Sequence, residues 1–204
     1  MLRKIFVSIL IAGTLASVVS ASTFCACCAE PGFRSISKQR VDASTLALLG
    51  EMKFVEASEL YLDAGEFEPI RGLPELKADY DAQKSIDFSL VESFLARTWA
   101  FNFSTAAGRR GTVTLPAPRQ MSKMMIDTRM ASSPSATDVV LYKEMTFDGR
   151  IASSTGIFRR AQGAAYKLVL QGQGNVCDNA SDYKYWRLDV NGSSASYELM
   201  GTMR

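Results

Sequence analysis

The stretch Arg97-Thr-Trp-Ala-Phe-Asn-Phe-Ser104 decides the fold class. Trp99, Phe101 and Phe103 fall on one side of an extended chain, and Thr98, Ala100 and Asn102 on the other. That two-residue period is the mark of a half-buried strand. Ala106-Ala-Gly-Arg-Arg-Gly111 follows, with glycines where a turn needs positive φ. Thr112-Val-Thr-Leu115 then returns until Pro116 and Pro118 end it. Downstream the alternation continues. Val139, Leu141, Met145 and Phe147 alternate with Tyr142, Glu144 and Thr146, and Asp148-Gly149 reads as a hairpin turn. Ile151 to Phe158 returns, and Tyr166, Leu168 and Leu170 share a side. Trp186, Leu188 and Val190 share another, before Asn191-Gly192, a second hairpin signal, and a last strand with Tyr197 and Leu199.

Upstream the pattern is weaker. Between Ser44 and Leu62 a helical stripe (Leu48, Met52, Val55, Leu62) competes with an alternation through Leu48, Met52 and Phe54. Leu60-Tyr-Leu62 favours a strand pair. Phe67 to Pro74 is a loop broken by two prolines, and Glu75 to Asp81 is a short helix or a loop. Ser85–Leu90 and Met121–Met130 each hold a strand. Eight to ten strands at this spacing predict an all-β fold. It should be an antiparallel meander, barrel-like (lipocalin-like) or a sandwich, because closure removes sticky edges.

The first residues read as an export signal. Arg3 and Lys4 form a basic start, Ile5 to Val19 an apolar run, and Val19-Ser-Ala21 the small residues a signal peptidase accepts. The run is short for a membrane span of about 20 residues, and nothing later is long and apolar enough to make one. The expected organisation is therefore a signal peptide at 1–21, an irregular Cys-rich arm at 22–40 and a single β domain at 41–204. The location is periplasmic or extracellular. Taking Arg3 and Lys4 from the 23 Lys and Arg leaves as many bases as the 21 acids. A neutral mature chain argues against nucleic acid as a partner, and the sequence does not fix an oligomeric state.

Four cysteines are present: Cys25, Cys27, Cys28 and Cys177. In an oxidising compartment they are disulfide candidates. A Cys27–Cys28 bond would strain normal geometry, so a bridge from Cys177 to Cys27 or Cys28 is preferred and would pin the arm to the domain. The crowded thiolates Cys25, Cys27 and Cys28 also suit copper or zinc, although standard structural zinc sites use more widely spaced ligand pairs. The residues before Cys25 and Cys27 do not match a lipidation pattern.

The chain has no histidine, which excludes Ser-His-Asp and Cys-His catalysis and His-ligated zinc. Ser35-Ile-Ser-Lys38 matches Ser-x-x-Lys, a nucleophile pattern that needs a helix; in an irregular arm, chance is the plainer explanation. Gly172-Gln-Gly-Asn lacks the Gly-Lys-Ser/Thr of a phosphate loop. Asp178 to Asp182 offers oxygens but not the spacing of a calcium loop, and suits Asx turns better. Glu66, Glu68, Asp79 and Asp81 form a catalytic carboxylate pair only if folding brings two of them together. Asn102, Asn179 and Asn191 head glycosylation-type triplets. Trp99, Phe101, Phe103 and Trp186 are ligand-pocket candidates if the barrel is hollow, and core if it is filled. No residue is assigned as catalytic and no cofactor is expected.

Cys-x-Cys-Cys-Ala-Glu-Pro-Gly (Cys25 to Gly32) and Leu-Val-Leu-Gln-Gly-Gln-Gly-Asn-Val-Cys (Leu168 to Cys177) together resemble a group of secreted bacterial proteins. In that group an acidic loop and a Trp strand follow the second motif, matched here by Asp178, Asp182 and Trp186. The resemblance spans most of the mature chain and implies an envelope location and a bridge between the two Cys motifs. The group has no assigned activity, so no catalytic residue carries over. The functional expectation is a non-enzymatic binding or structural module, with a small apolar ligand in the barrel as its most concrete form. A thiol-metal or redox role for the Cys cluster is the second reading, and a carboxylate hydrolase the weakest.

Overall fold

A computed structural model describes residues 32–61, 70–83, 85–95, 98–128 and 140–204. The stretch read as an export signal, with Cys25, Cys27, Cys28, Glu66 and Glu68, lies outside the described residues. Among the described residues eleven strands form one antiparallel sheet: β1 (Arg34–Arg40), β2 (Phe54–Tyr61), β3 (Asp87–Leu95), β4 (Thr98–Thr105), β5 (Arg110–Pro116), β6 (Gln120–Asp127), β7 (Leu141–Arg150), β8 (Ser153–Gly156), β9 (Ala165–Gly174), β10 (Tyr183–Asn191) and β11 (Ser196–Met203). Two short helices, α1 (Ala43–Glu51) and α2 (Lys77–Gln83), lie between strands.

The strand order is β1-β6-β7-β9-β10-β11-β2-β3-β4-β5-β8. The C-terminal meander β9-β10-β11 runs in register from Tyr185 onward, after a bulge between Tyr183 and Tyr185, with Leu188 facing both Leu168 and Leu199. The sheet curls. The chain that leaves β7 at Arg150 re-pairs within three residues, as β8, with β5 at the far end, and Ala152 donates to the Thr114 carbonyl. Among the described strands no ladder joins β5 to β7, so the sheet they form is open, with β1 and β8 as its ends. The all-β antiparallel class holds; a closed barrel does not form.

Side chains follow the alternation. Along β4, Trp99, Phe101 and Phe103 are buried between exposed or half-buried neighbours, and in β5 Val113 and Leu115 do the same. Most of the core is one cluster inside the curl, closed at one side by Leu49 and Met52 around the end of α1. A small second cluster, Leu141 with Phe33, Met125 and Val176, sits where β7 begins.

Three local expectations are corrected. The strand pair over 44–62 is a helix followed by one strand. Asp42 caps α1, its Oδ1 accepting from the Thr45 amide at 2.8 Å, and this local bond settles a pattern that periodicity left ambiguous. The arm expected to be irregular through Arg40 becomes strand β1 at Arg34. Asp148-Gly149 is not a turn but lies inside β7, opposite Lys167 and Tyr166. Gly149 has no positive φ; its bare Cα is what lets the Tyr166 ring lie against it, since a Cβ would sit 3.0 Å from that ring. At the β4–β5 turn, by contrast, Gly108 does adopt φ +77°.

Candidate functional site

The β9–β10 loop gathers the residues that the sequence singled out. Cys177 is disulfide-bonded. The loop is shaped by its own side chains: Asn175 Oδ1 accepts from the Cys177 amide at 2.9 Å, and Asn179 Oδ1 from the Ser181 amide and hydroxyl at 3.0 and 2.9 Å. These are Asx turns. Asp178 and Asp182 do not converge on a cation position. Each pairs instead with a lysine from the sheet beneath, Asp178 with Lys123 and Asp182 with Lys143.

Lys143 is the anchor. Its residue is fully buried, and its Nζ donates to Asp182 Oδ2 at 2.7 Å and to the Cys177 carbonyl. Lys143 falls in phase with Leu141, Met145 and Phe147, so the strand period sends its ammonium inward. An uncompensated buried charge is expensive, and the two acceptors of this loop compensate it. The loop is therefore fixed from below at the cysteine itself. Gly172 and Gly174 make the seat: a Cβ at 172 would overlap the Asp182 carbonyl, and one at 174 its carboxylate. The glycines of Gly172-Gln-Gly174 thus serve close backbone approach. Beside them Tyr183 is buried, and burial raises its phenol well above the ordinary range.

The start of the described chain meets this loop. The Gly32 amide donates to Asp127 Oδ2 at 3.1 Å, and Phe33 accepts from the Asp127 amide at 2.8 Å. Phe33 and Val176 both pack on Leu141. The chain five residues after Cys28 and the chain one residue before Cys177 are thereby brought onto the same side chain.

The four pocket candidates lie together in the interior. Trp99, Phe101, Phe103 and Trp186 are each at most 2% exposed. Trp99 and Phe101 stack at 5.6 Å between ring centres, and Phe101 lies 6.1 Å from Trp186. Phe54 fills the space among Trp99, Phe101 and Trp186 at 5.3–5.6 Å, and Phe158 closes on Phe103 at 5.1 Å. Gly201 leaves room for the Trp186 indole above it. Trp99 Nε1 donates to Glu92 at 2.7 Å, and half-burial raises the Glu92 carboxyl above its usual range.

The remaining candidates are dispersed. Ser35 and Lys38 stand on opposite faces of β1, as odd and even positions of a strand must. Asp79, half-buried, pairs with Arg109, and Asp81, exposed, pairs with Lys77. Asn102 is used across strands, donating to the Val91 carbonyl and accepting from Thr112. On the outer face Glu144 accepts from Tyr142 at 2.8 Å and Thr146 at 3.0 Å, and Gln171 Nε2 donates to the Tyr142 hydroxyl. Burial and this carboxylate push Tyr142 up to about 12. Among the described residues no group of three metal-ligating side chains converges, and no helix is long and apolar enough to cross a membrane.

No family model, curated protein or solved structure matches the chain.

Proposed function

We propose that the chain is an exported, non-enzymatic structural or binding module whose cysteine-bearing N-terminal segment is fastened to the β domain at Cys177. The meeting of Phe33 and Val176 on Leu141 carries this reading. It leaves a short run of chain between Cys28 and the bridged Cys177, within reach of about 3.3 Å per residue. The buried Lys143, holding the Cys177 carbonyl and Asp182 together, supports the same view: the loop is built as a fixed anchorage. The mutual packing of Trp99, Phe101, Phe103 and Trp186 favours the structural form over a ligand held inside the sheet.

Peptide mapping of the purified protein under non-reducing conditions tests the proposal. The Cys177 peptide should appear linked to a peptide carrying Cys25, Cys27 or Cys28, and N-terminal sequencing should begin after Ala21. A free Cys177 thiol ends the proposal. Free Cys25, Cys27 and Cys28 with copper or zinc bound would replace it with the thiol-metal reading.

A further inference from the structure

The two ends of the open sheet differ. β8 is four residues long, and Gly156, at φ +59°, turns the chain away beside Arg110. Such an edge is blunted. β1 is seven residues long, pairs with β6 in unbroken register over its full length, and contains no proline. Among the described strands nothing pairs with its other side.

The direction of the free backbone groups follows from two bonds. Phe33 accepts from Asp127 and Val41 donates to Arg119, so the odd-numbered residues turn their N–H and C=O toward β6. Those of Arg34, Ile36, Lys38 and Arg40 face outward. The same four side chains share one face of the sheet. Arg34, Lys38 and Arg40 are exposed and have no ion pair among the described residues. Ile36, between them, is 70% exposed, and β1 holds no acid.

We propose that β1 is a docking edge for an extended acidic segment of a partner polypeptide, which joins the sheet as a further strand. Antiparallel addition sets carboxylates opposite Arg34, Lys38 and Arg40 and an aliphatic side chain opposite Ile36, giving the pattern acidic-x-acidic-x-aliphatic-x-acidic. Charge selects this partner over a second copy of the chain. Two β1 strands paired about Ser37 would set Arg34 against Arg40 and Lys38 against Ile36, with no anion between them. The inference extends the binding-module reading to a place and a ligand class. It stands whether or not the Cys177 bridge is found, because β1 owes its edge to β6.

The probe is a fluorescent peptide, Glu-Thr-Glu-Thr-Val-Thr-Glu, titrated with the whole protein and read by anisotropy. Saturable binding is expected, weakening with salt. A scrambled peptide of the same composition should bind about tenfold more weakly, as should one N-methylated at alternate residues to block the ladder. Lys38→Glu should cost a similar factor. Ile36→Pro should do so as well, because it removes an outward amide and leaves the β6 ladder intact. Equal binding of the scrambled or N-methylated peptide would overturn strand addition and leave only a charged surface. Binding to phosphatidylglycerol vesicles with no binding of the peptide would overturn it in favour of a lipid surface.

Discussion

β4 and β7 obey the same alternation and fill its inward positions with opposite chemistry. In β4 the inward residues are Trp99, Phe101 and Phe103, whose rings are satisfied by the apolar surface around them, with a single directional bond from the Trp99 indole to Glu92. In β7 one of them, between Leu141 and Met145, is Lys143, and it is satisfied only by Asp182 and the Cys177 carbonyl. Dispersion and hydrophobic burial are non-directional and tolerate small shifts. A buried ammonium is directional and intolerant. The aromatic side of the sheet therefore supplies bulk stability, and the Lys143 end specifies the position of one loop. A bridge point needs that precision, since Cys177 can meet its partner only if its backbone is held.

This contrast can be broken from either side. Phe101→Ala removes a fully buried ring in contact with Trp99, Phe103, Trp186 and Phe54, and we expect a loss of about 3–5 kcal/mol in urea unfolding, with the Cys177 linkage unchanged. Asp182→Ala strands the Lys143 ammonium. The expected loss is about 3 kcal/mol, the low end for a broken buried pair, because the Asp182 side chain is 16% exposed and the Cys177 carbonyl still accepts. Adding Lys143→Met to that variant should restore most of the loss, because removing both charges is far cheaper than removing one. If the double variant is no better than the single one, the pair is not what holds the loop. Gly172→Ala should cost roughly 1–3 kcal/mol: its Cβ would overlap the Asp182 carbonyl, and the loop must rise to admit it.

The aromatic side was legible in the sequence and the lysine end was not, for a physical reason. Trp99-x-Phe101-x-Phe103 announces itself because hydrophobicity is the signal that periodicity reads. Lys143 stands in the same phase as Leu141, Met145 and Phe147, but a lysine is skipped when apolar residues are counted. The clue was its parity. Gly172 and Gly174 were readable as close-approach glycines only once the approaching group, Asp182, was known. The edge of β1 was hidden differently: Arg34-Ser-Ile-Ser-Lys-Gln-Arg40 has one apolar residue, and it is a strand because β6 templates it, not because it buries a face. The open sheet was missed because closure rests on which strands meet, and the re-pairing of β8 with β5 is a long-range event that no local pattern encodes. Over 44–62 the deciding information was local after all, in Asp42 and the Thr45 amide, but it is a capping signal and not a periodic one.

Asp42 gives the smallest expected effect and the sharpest control on the buried pair, because its carboxylate is held by hydrogen bonds in water. The Thr45 amide, aided by the Ser44 hydroxyl, lowers its pKa from 3.8 to about 2. A carboxyl depressed on folding stabilises the native state above its unfolded pKa and loses that contribution as pH falls through the folded value. The cap should therefore act in full above pH 4 and fade between pH 3.8 and about 2. Asp42→Asn retains an acceptor for the Thr45 amide but cannot titrate. Comparing urea midpoints of the two proteins from pH 5 to pH 2 cancels the other carboxylates, which titrate alike in both. The native chain should lead at pH 5, and the gap should close on acidification. A gap that stays constant across that range would mean that the ionised carboxylate of Asp42 contributes nothing to α1 beyond what a neutral amide supplies. Added salt should narrow the gap at pH 5, because this group is exposed, whereas the penalty of Asp182→Ala should scarcely move.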